Sequence, residues 1–200
     1  MHMKAKTSAS GAARRSSAPS SPRGRRQREL QRNLHILSAV VRRVLEQAPV
    51  ESLPDSPITP EQLKLLRFVV LKRGAKVGEV ATGLGITAAS ASLALDRLQA
   101  VGFVERKKRS RDRRSVQVFA TRSGRALVAR VRRIVDAKLS RAMGRIGVED
   151  TKHFTELAAK ITRILMEGHE YFGDVCMQCG VDGSPTCPIH ELYENCPYSG

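Results

Sequence analysis

All four cysteines of this chain stand near its C-terminus. Cys176-Met177-Gln178-Cys179-Gly180 is a C-x-x-C-G turn, and Cys187-Pro188 and Cys196-Pro197 extend it to C-x2-C-x7-C-x8-C. A two-residue spacer aims the sulfurs of Cys176 and Cys179 at one cation, and four thiolates make a tetrahedral zinc site. The same set fits an iron–sulfur cluster, in which proline recurs after cysteine. Free or incidentally paired thiols are the third alternative, because the spacing matches no standard finger. Zinc is the expectation, as the knuckle is the sharper feature, and a segment so poor in apolar residues needs such a staple to fold.

The second reactive grouping is a run of charge. Arg106, Lys107, Lys108, Arg109, Arg111, Arg113 and Arg114 lie within ten residues that also hold Glu105 and Asp112. Such a run attracts a polyanion. No Ser/His/Asp set, phosphate-binding glycine loop or pair of catalytic carboxylates stands anywhere in the chain, and the five histidines are scattered. Enzymatic chemistry is therefore not expected, except for a metal- or redox-active reading of the tail cysteines.

The totals agree with a polyanionic partner. The net charge is +16 over 200 residues, with a pI near 10.6, and it is unevenly placed. Residues 1–28 hold Lys and Arg and no acid, whereas residues 167–200 hold acids and no Lys or Arg. Aromatics are only 4% of the chain, so the core must be aliphatic, and RNA binding through stacking platforms is disfavoured. No apolar run is long enough to cross a bilayer and no signal peptide is visible, so a cytoplasmic location without membrane contact is expected.

Several elements must position these groups. Residues 1–27 read as a disordered basic arm. A helix over 28–47 follows from the period Leu30, Leu34, Leu37, Val41 and Val44, with Pro49, Pro54 and Pro57 closing it. Thr59-Pro60-Glu61-Gln62 is a capping box with proline at the first helical position. It opens a helix that points Leu63, Leu66, Val69 and Val70 inward and ends at Gly74. A short helix spans Val77 to Leu84, Gly85-Ile86 turns, and Thr87 caps a helix running to about Ala100 with Ala91, Ala94, Leu95 and Leu98 inward. Phe103–Arg106 and Ser115–Phe119 alternate as two strands around the basic loop 107–114. Thr121 caps a long helix, Gly147 interrupts it, and a last helix covers about 149–167.

This order is a winged helix-turn-helix over residues 58–125. Its second helix can lie in a DNA major groove, presenting Thr87, Ala88, Ala89, Ser90, Ser92 and Leu93. Ser90 and Ser92 can hydrogen-bond bases or phosphates, and Ala89 and Leu93 can pack on thymine methyls. With no Arg, Asn or Gln for a bidentate base contact, more of the specificity is expected from the wing and from DNA shape. Lys107, Lys108, Arg109, Arg111, Arg113 and Arg114 are expected over the phosphates and minor groove, with Arg109, Arg111 and Arg113 inserting.

The chain resembles the MarR family of bacterial transcription regulators. The resemblance rests on Leu84-Gly85-Ile86-Thr87, Leu95-Asp96-Arg97-Leu98, Gly102-Phe103-Val104-Glu105-Arg106, Asp112-Arg113-Arg114 and Thr121-Arg122-Ser123-Gly124-Arg125, and covers residues 28–167. It implies a mainly α fold with a small β-wing, and a homodimer held by helices 28–47 and 121–167. It also implies Asp112 and Arg114 as a wing pair, and a repressor of a near-palindromic operator that answers to a small ligand. Residues 168–200 then form a separate cysteine-containing tail whose metal state could control the regulator. The other functional class is an oxidoreductase-like protein that uses Cys176, Cys179, Cys187 and Cys196 and docks through its basic domain.

Overall fold

The computed structural model describes residues 21–53, 58–109, 112–168, 175 and 187–189, with the backbone alone for Arg109 and residues 112–115. The chain divides into two compact units, Met1–Val41 and Arg42–Gly200. Among the described residues the first unit is one helix, α1 (Pro22–Val41). Ser21 caps it. The Ser21 hydroxyl accepts the N–H of Gly24 at 3.2 Å, its carbonyl accepts that of Arg25 at 3.2 Å, and Pro22 takes the first helical position, where it loses no hydrogen bond. The expected boundary at residue 27 is thus corrected: residues 22–27 are helical. The apolar period starts only at Leu30, so periodicity could not reveal a helix start that rests on the cap.

The second unit opens with a π-helical segment, Arg42–Gln47, and a short helix α2 (Ala48–Glu51). The sequence predicts that proline closes the helix at Pro49. Instead the helical path continues through it, because the wider π turn relieves the clash and the missing donor that proline brings to a regular helix. Lys64 Nζ holds Glu46 at 3.1 Å, and Pro49 and Val50 are buried.

Helix α3 (Pro60–Lys72) starts at the capping box read from the sequence. The Gln62 N–H donates to the Thr59 hydroxyl at 3.3 Å, and the Thr59 N–H donates back to Gln62 Oε1 at 2.9 Å. Its inward face is wider than expected, adding Leu65 and Phe68 to Leu63, Leu66 and Val69, while Val70 is only partly buried. The helix ends one residue earlier than expected, with Arg73 left-handed at φ 51°. Gly74 instead makes room for an aromatic ring, since a Cβ there would lie 2.5 Å from Cε1 of Phe119.

Helix α4 (Val77–Leu84) has the bounds read from the sequence. The Lys76 N–H donates to Glu79 Oε2 at 2.6 Å and fixes its start. Helix α5 (Ala88–Ala100) follows. Strands β1 (Val104–Arg109) and β2 (Asp112–Ala120) pair antiparallel, and Ala75 adds a one-residue bridge to Val118 with bonds of 3.0 and 2.8 Å. Helices α6 (Arg122–Ile146) and α7 (Val148–Met166) meet at Gly147, as expected. The buried core is aliphatic apart from Phe68 and joins α2 (through Val50), α3, α4, α5, the sheet and α6, with Leu66, Val69, Val80, Ala91, Leu95, Leu98, Val118 and Val131 fully buried. Burying each large side chain contributes about 1.5–3 kcal/mol. No residue of α7 belongs to this core.

Candidate nucleic-acid interface

Helices α4 and α5 cross at 112°, within the range of a helix-turn-helix. The Ile86 N–H donates to the Ala81 carbonyl at 3.0 Å and closes the turn. Thr87 then caps α5: its hydroxyl accepts the Ser90 N–H at 3.1 Å and donates to the Ser90 hydroxyl at 2.9 Å. Ala91, Leu95 and Leu98 anchor α5 in the core. The opposite face is open. Thr87, Ala88, Ala89, Ser90 and Leu93 are exposed, and Ser92 is half-buried. The helical repeat of 100° per residue centres that face on Ala89 and Leu93, with Asp96 and Arg97 farther along.

The hairpin beside this helix is held by two sets of bonds. At its base, the Thr121 N–H donates to the Phe103 carbonyl at 3.0 Å, and the hydroxyls of Thr121 and Ser123 both donate to the Gly102 carbonyl, at 2.7 and 2.8 Å. Gly124 permits this closure, since a Cβ there would collide with the Phe103 carbonyl. Higher up, Arg106 Nη1 meets Asp96 Oδ1 at 2.7 Å. That pair ties β1 directly to α5, so the wing and the helix keep one mutual geometry. It is half-exposed and contributes little stability on its own; its effect is positional. On the other face of β1, Lys107 Nζ meets Glu105 at 2.7 Å and lies 5.9 Å from the centroid of the Phe119 ring.

The strands run farther than the alternating pattern predicts. Residues 107–109 and 112–114, expected in a loop, belong to the strands, with 107–109 and Asp112 paired. The register breaks at the tip: Lys108 pairs with Val116, but Arg109 pairs with Asp112. An unbroken register would give Arg109 Ser115 instead, so Arg113, Arg114 and Ser115 fall between the two pairs. Such bulges bend a hairpin and change where its residues face.

The sequence model of the MarR family matches residues 58–116. Over these residues the winged segment is similar to the MarR family. Solved structures carry the same fold over more of the chain. A MarR family protein from Bacillus stearothermophilus is 20% identical with a TM-score of 0.62, covering 72% of this chain and 97% of its own. The wild-type MarR from E. coli, in its apo form, is 25% identical with a TM-score of 0.55, covering 66% and 95%. FabT from Streptococcus pneumoniae, in complex with DNA, is 18% identical with a TM-score of 0.60, covering 69% and 98%. No curated protein matches by sequence.

In this MarR-like segment the expected groove-facing residues of α5, apart from half-buried Ser92, are brought onto one open face, with Lys107 and Lys108 exposed on the neighbouring strand. Arg109 and Asp112 pair at the tip, Arg113 and Arg114 lie on the strand backbone between the two pairs, and Arg111 lies outside the described residues, as does any contact of the expected Asp112–Arg114 pair. Two features escaped the sequence reading. Arg97 is exposed on the open face of α5, and Asp96 and Arg106 form the strut. Of the tail cysteines, Cys187 is half-buried with a free thiol, and Cys176, Cys179 and Cys196 lie outside the described residues. Among the described residues no single helix is long and apolar enough to cross a membrane.

Proposed function

We propose that the chain is a sequence-selective DNA-binding transcription regulator that works in the cytoplasm as a homodimer and represses from a near-palindromic operator. The carrying observation is the open face of α5 beside a basic hairpin, with the two locked together by Asp96 and Arg106. The DNA-bound FabT structure, which shares the fold, supports the same partner. Wing and helix would then read neighbouring grooves, with the wing cations on phosphates and α5 against base edges. The dimer reading is supported by the apolar period Leu30, Leu34 and Leu37 along α1 and by the uncovered apolar face of α7 (Phe154, Leu157, Leu165). A second copy covers them. Selecting bound fragments from a random duplex pool tests the function. One enriched near-palindrome with half-sites about one helical turn apart is expected; a pool that stays random contradicts it. A small ligand or the metal state of the tail would set the affinity for this operator.

The spacing of Cys176, Cys179, Cys187 and Cys196 favours a second element, a structural zinc in the tail. Protein purified without oxygen should be colourless and carry about one zinc per chain. Visible absorbance with bound iron would assign an iron–sulfur cluster instead, and a metal-free protein with four titratable thiols would remove the site.

A further inference from the structure

From the exposed surface of α5 we infer that its specificity is read through the C5-methyl groups of thymine, with Leu93 as the determining side chain and Ala89 setting the depth of approach. This rests on the proposed DNA-binding function and names the chemistry of its readout. Three observations carry it.

Leu93 is 55% exposed on a helix whose opposite face is packed into the core. It stands one turn after Ala89, and the two occupy the centre of the outward face. Ile86, in the turn that leads into the helix, is also exposed at 38%. The first two turns therefore offer an apolar surface where a base-reading helix usually offers long polar side chains.

The polar groups of the first two turns and Asp96 are committed or turned aside, while Arg97, exposed on the same face, stands one turn beyond Leu93. The Ser90 hydroxyl accepts a hydrogen bond from Thr87 and the Thr87 hydroxyl caps the helix. Ser92 is half-buried. Asp96 holds Arg106 at 2.7 Å. These groups are thus poorly placed to supply the paired donors and acceptors that distinguish guanine or adenine.

Among the base edges of the major groove, thymine alone adds an apolar group to the donor and acceptor pattern. Ala89 has a side chain of one carbon, so the backbone can come close to the bases there, and Leu93 reaches farther to bury a methyl. An apolar readout of this kind rewards thymine and leaves the other bases with unpaired polar edges against leucine, which lowers their affinity.

The test uses the full chain and its selected operator in two forms, one with thymine and one with uracil at the positions under α5. Uracil keeps every hydrogen-bonding group and loses only the methyl. Each removed methyl should weaken binding about fourfold, the equivalent of one buried CH2. Leu93→Ala should bind the thymine operator about tenfold more weakly and should bind the thymine and uracil forms equally. Because Leu93 is outside the core, its replacement leaves the fold intact, and unchanged binding to random duplex at low salt verifies this. Equal affinity of the unaltered protein for both operators would overturn methyl reading while leaving DNA binding in place. A protein that selects no operator would instead remove the function on which the inference rests.

Discussion

Replacing Leu157 and Leu165 together by glutamate should leave the chain monomeric and weaken operator binding by about 10²–10⁴-fold, the factor lost when two linked contacts become one. Both side chains project from α7, exposed by 58% and 62% in the single chain, and they share a face with Phe154 and Ile161 at helical spacing. A helix with such a stripe needs an apolar partner, and α7 places none of its residues in the core of its own chain. Glutamate on that face carries an unpaired charge into any interface that forms there, at a cost of several kcal/mol per ion. The winged core should survive, because none of its buried residues comes from α7. Sedimentation and far-ultraviolet circular dichroism separate the two effects: the mass should halve while the helical signal persists. A variant that remains dimeric and binds as before places the interface elsewhere.

Substituting alanine for Arg111 and Arg113 should lower affinity and also make the dependence of log K on log salt less steep by about one unit per arginine in each protomer. Counterion release is local to the phosphates that a cation neutralises, so the slope counts contacts, whereas overall charge acts weakly beyond a Debye length of about 10 Å. A control of equal charge is available. Arg145 and Lys152 stand on α6 and α7, and Arg145 lies about 35 Å along α6 from the base of the wing at 1.5 Å per residue. Removing those two charges should leave the slope unchanged. Equal slopes for the wing variant, the control variant and the unaltered protein would mean that the wing touches no phosphate.

Elements set by neighbouring residues were legible in the sequence. Thr59 and Gln62 satisfy each other three residues apart, and Thr87 and Thr121 cap their helices by contacts of the same range. The bounds of α4 follow from a strong apolar period in eight residues. What escaped depends on groups brought together by the fold. Asp96 and Arg106 belong to different elements, and nothing in the string of residues pairs them. Ala75 bridges Val118 with a single residue, too short for any alternation to show. The outer wing did not look like strand because charged residues occupy both of its faces, and period-two patterning appears only where one face is buried. Phe68 was missed for the converse reason: α3 is enclosed on several sides, so its buried face is wider than one stripe. The exposed face of α5 was legible as small and apolar, but only the structure shows that Ser90 and Asp96 already have partners.

The most direct measurement compares binding to the selected operator with binding to the same operator carrying five inserted base pairs between its half-sites. Five base pairs turn the second half-site by about half a helical turn, to the opposite side of the duplex. Two winged segments held in one rigid dimer can then engage only one half-site at a time, and the affinity should fall toward that of a single half-site. Insertion of a further five base pairs should restore the facing, although not the original distance, and recover at most part of the binding. Undiminished affinity with five inserted base pairs would contradict a dimer that reads two grooves from one side of DNA.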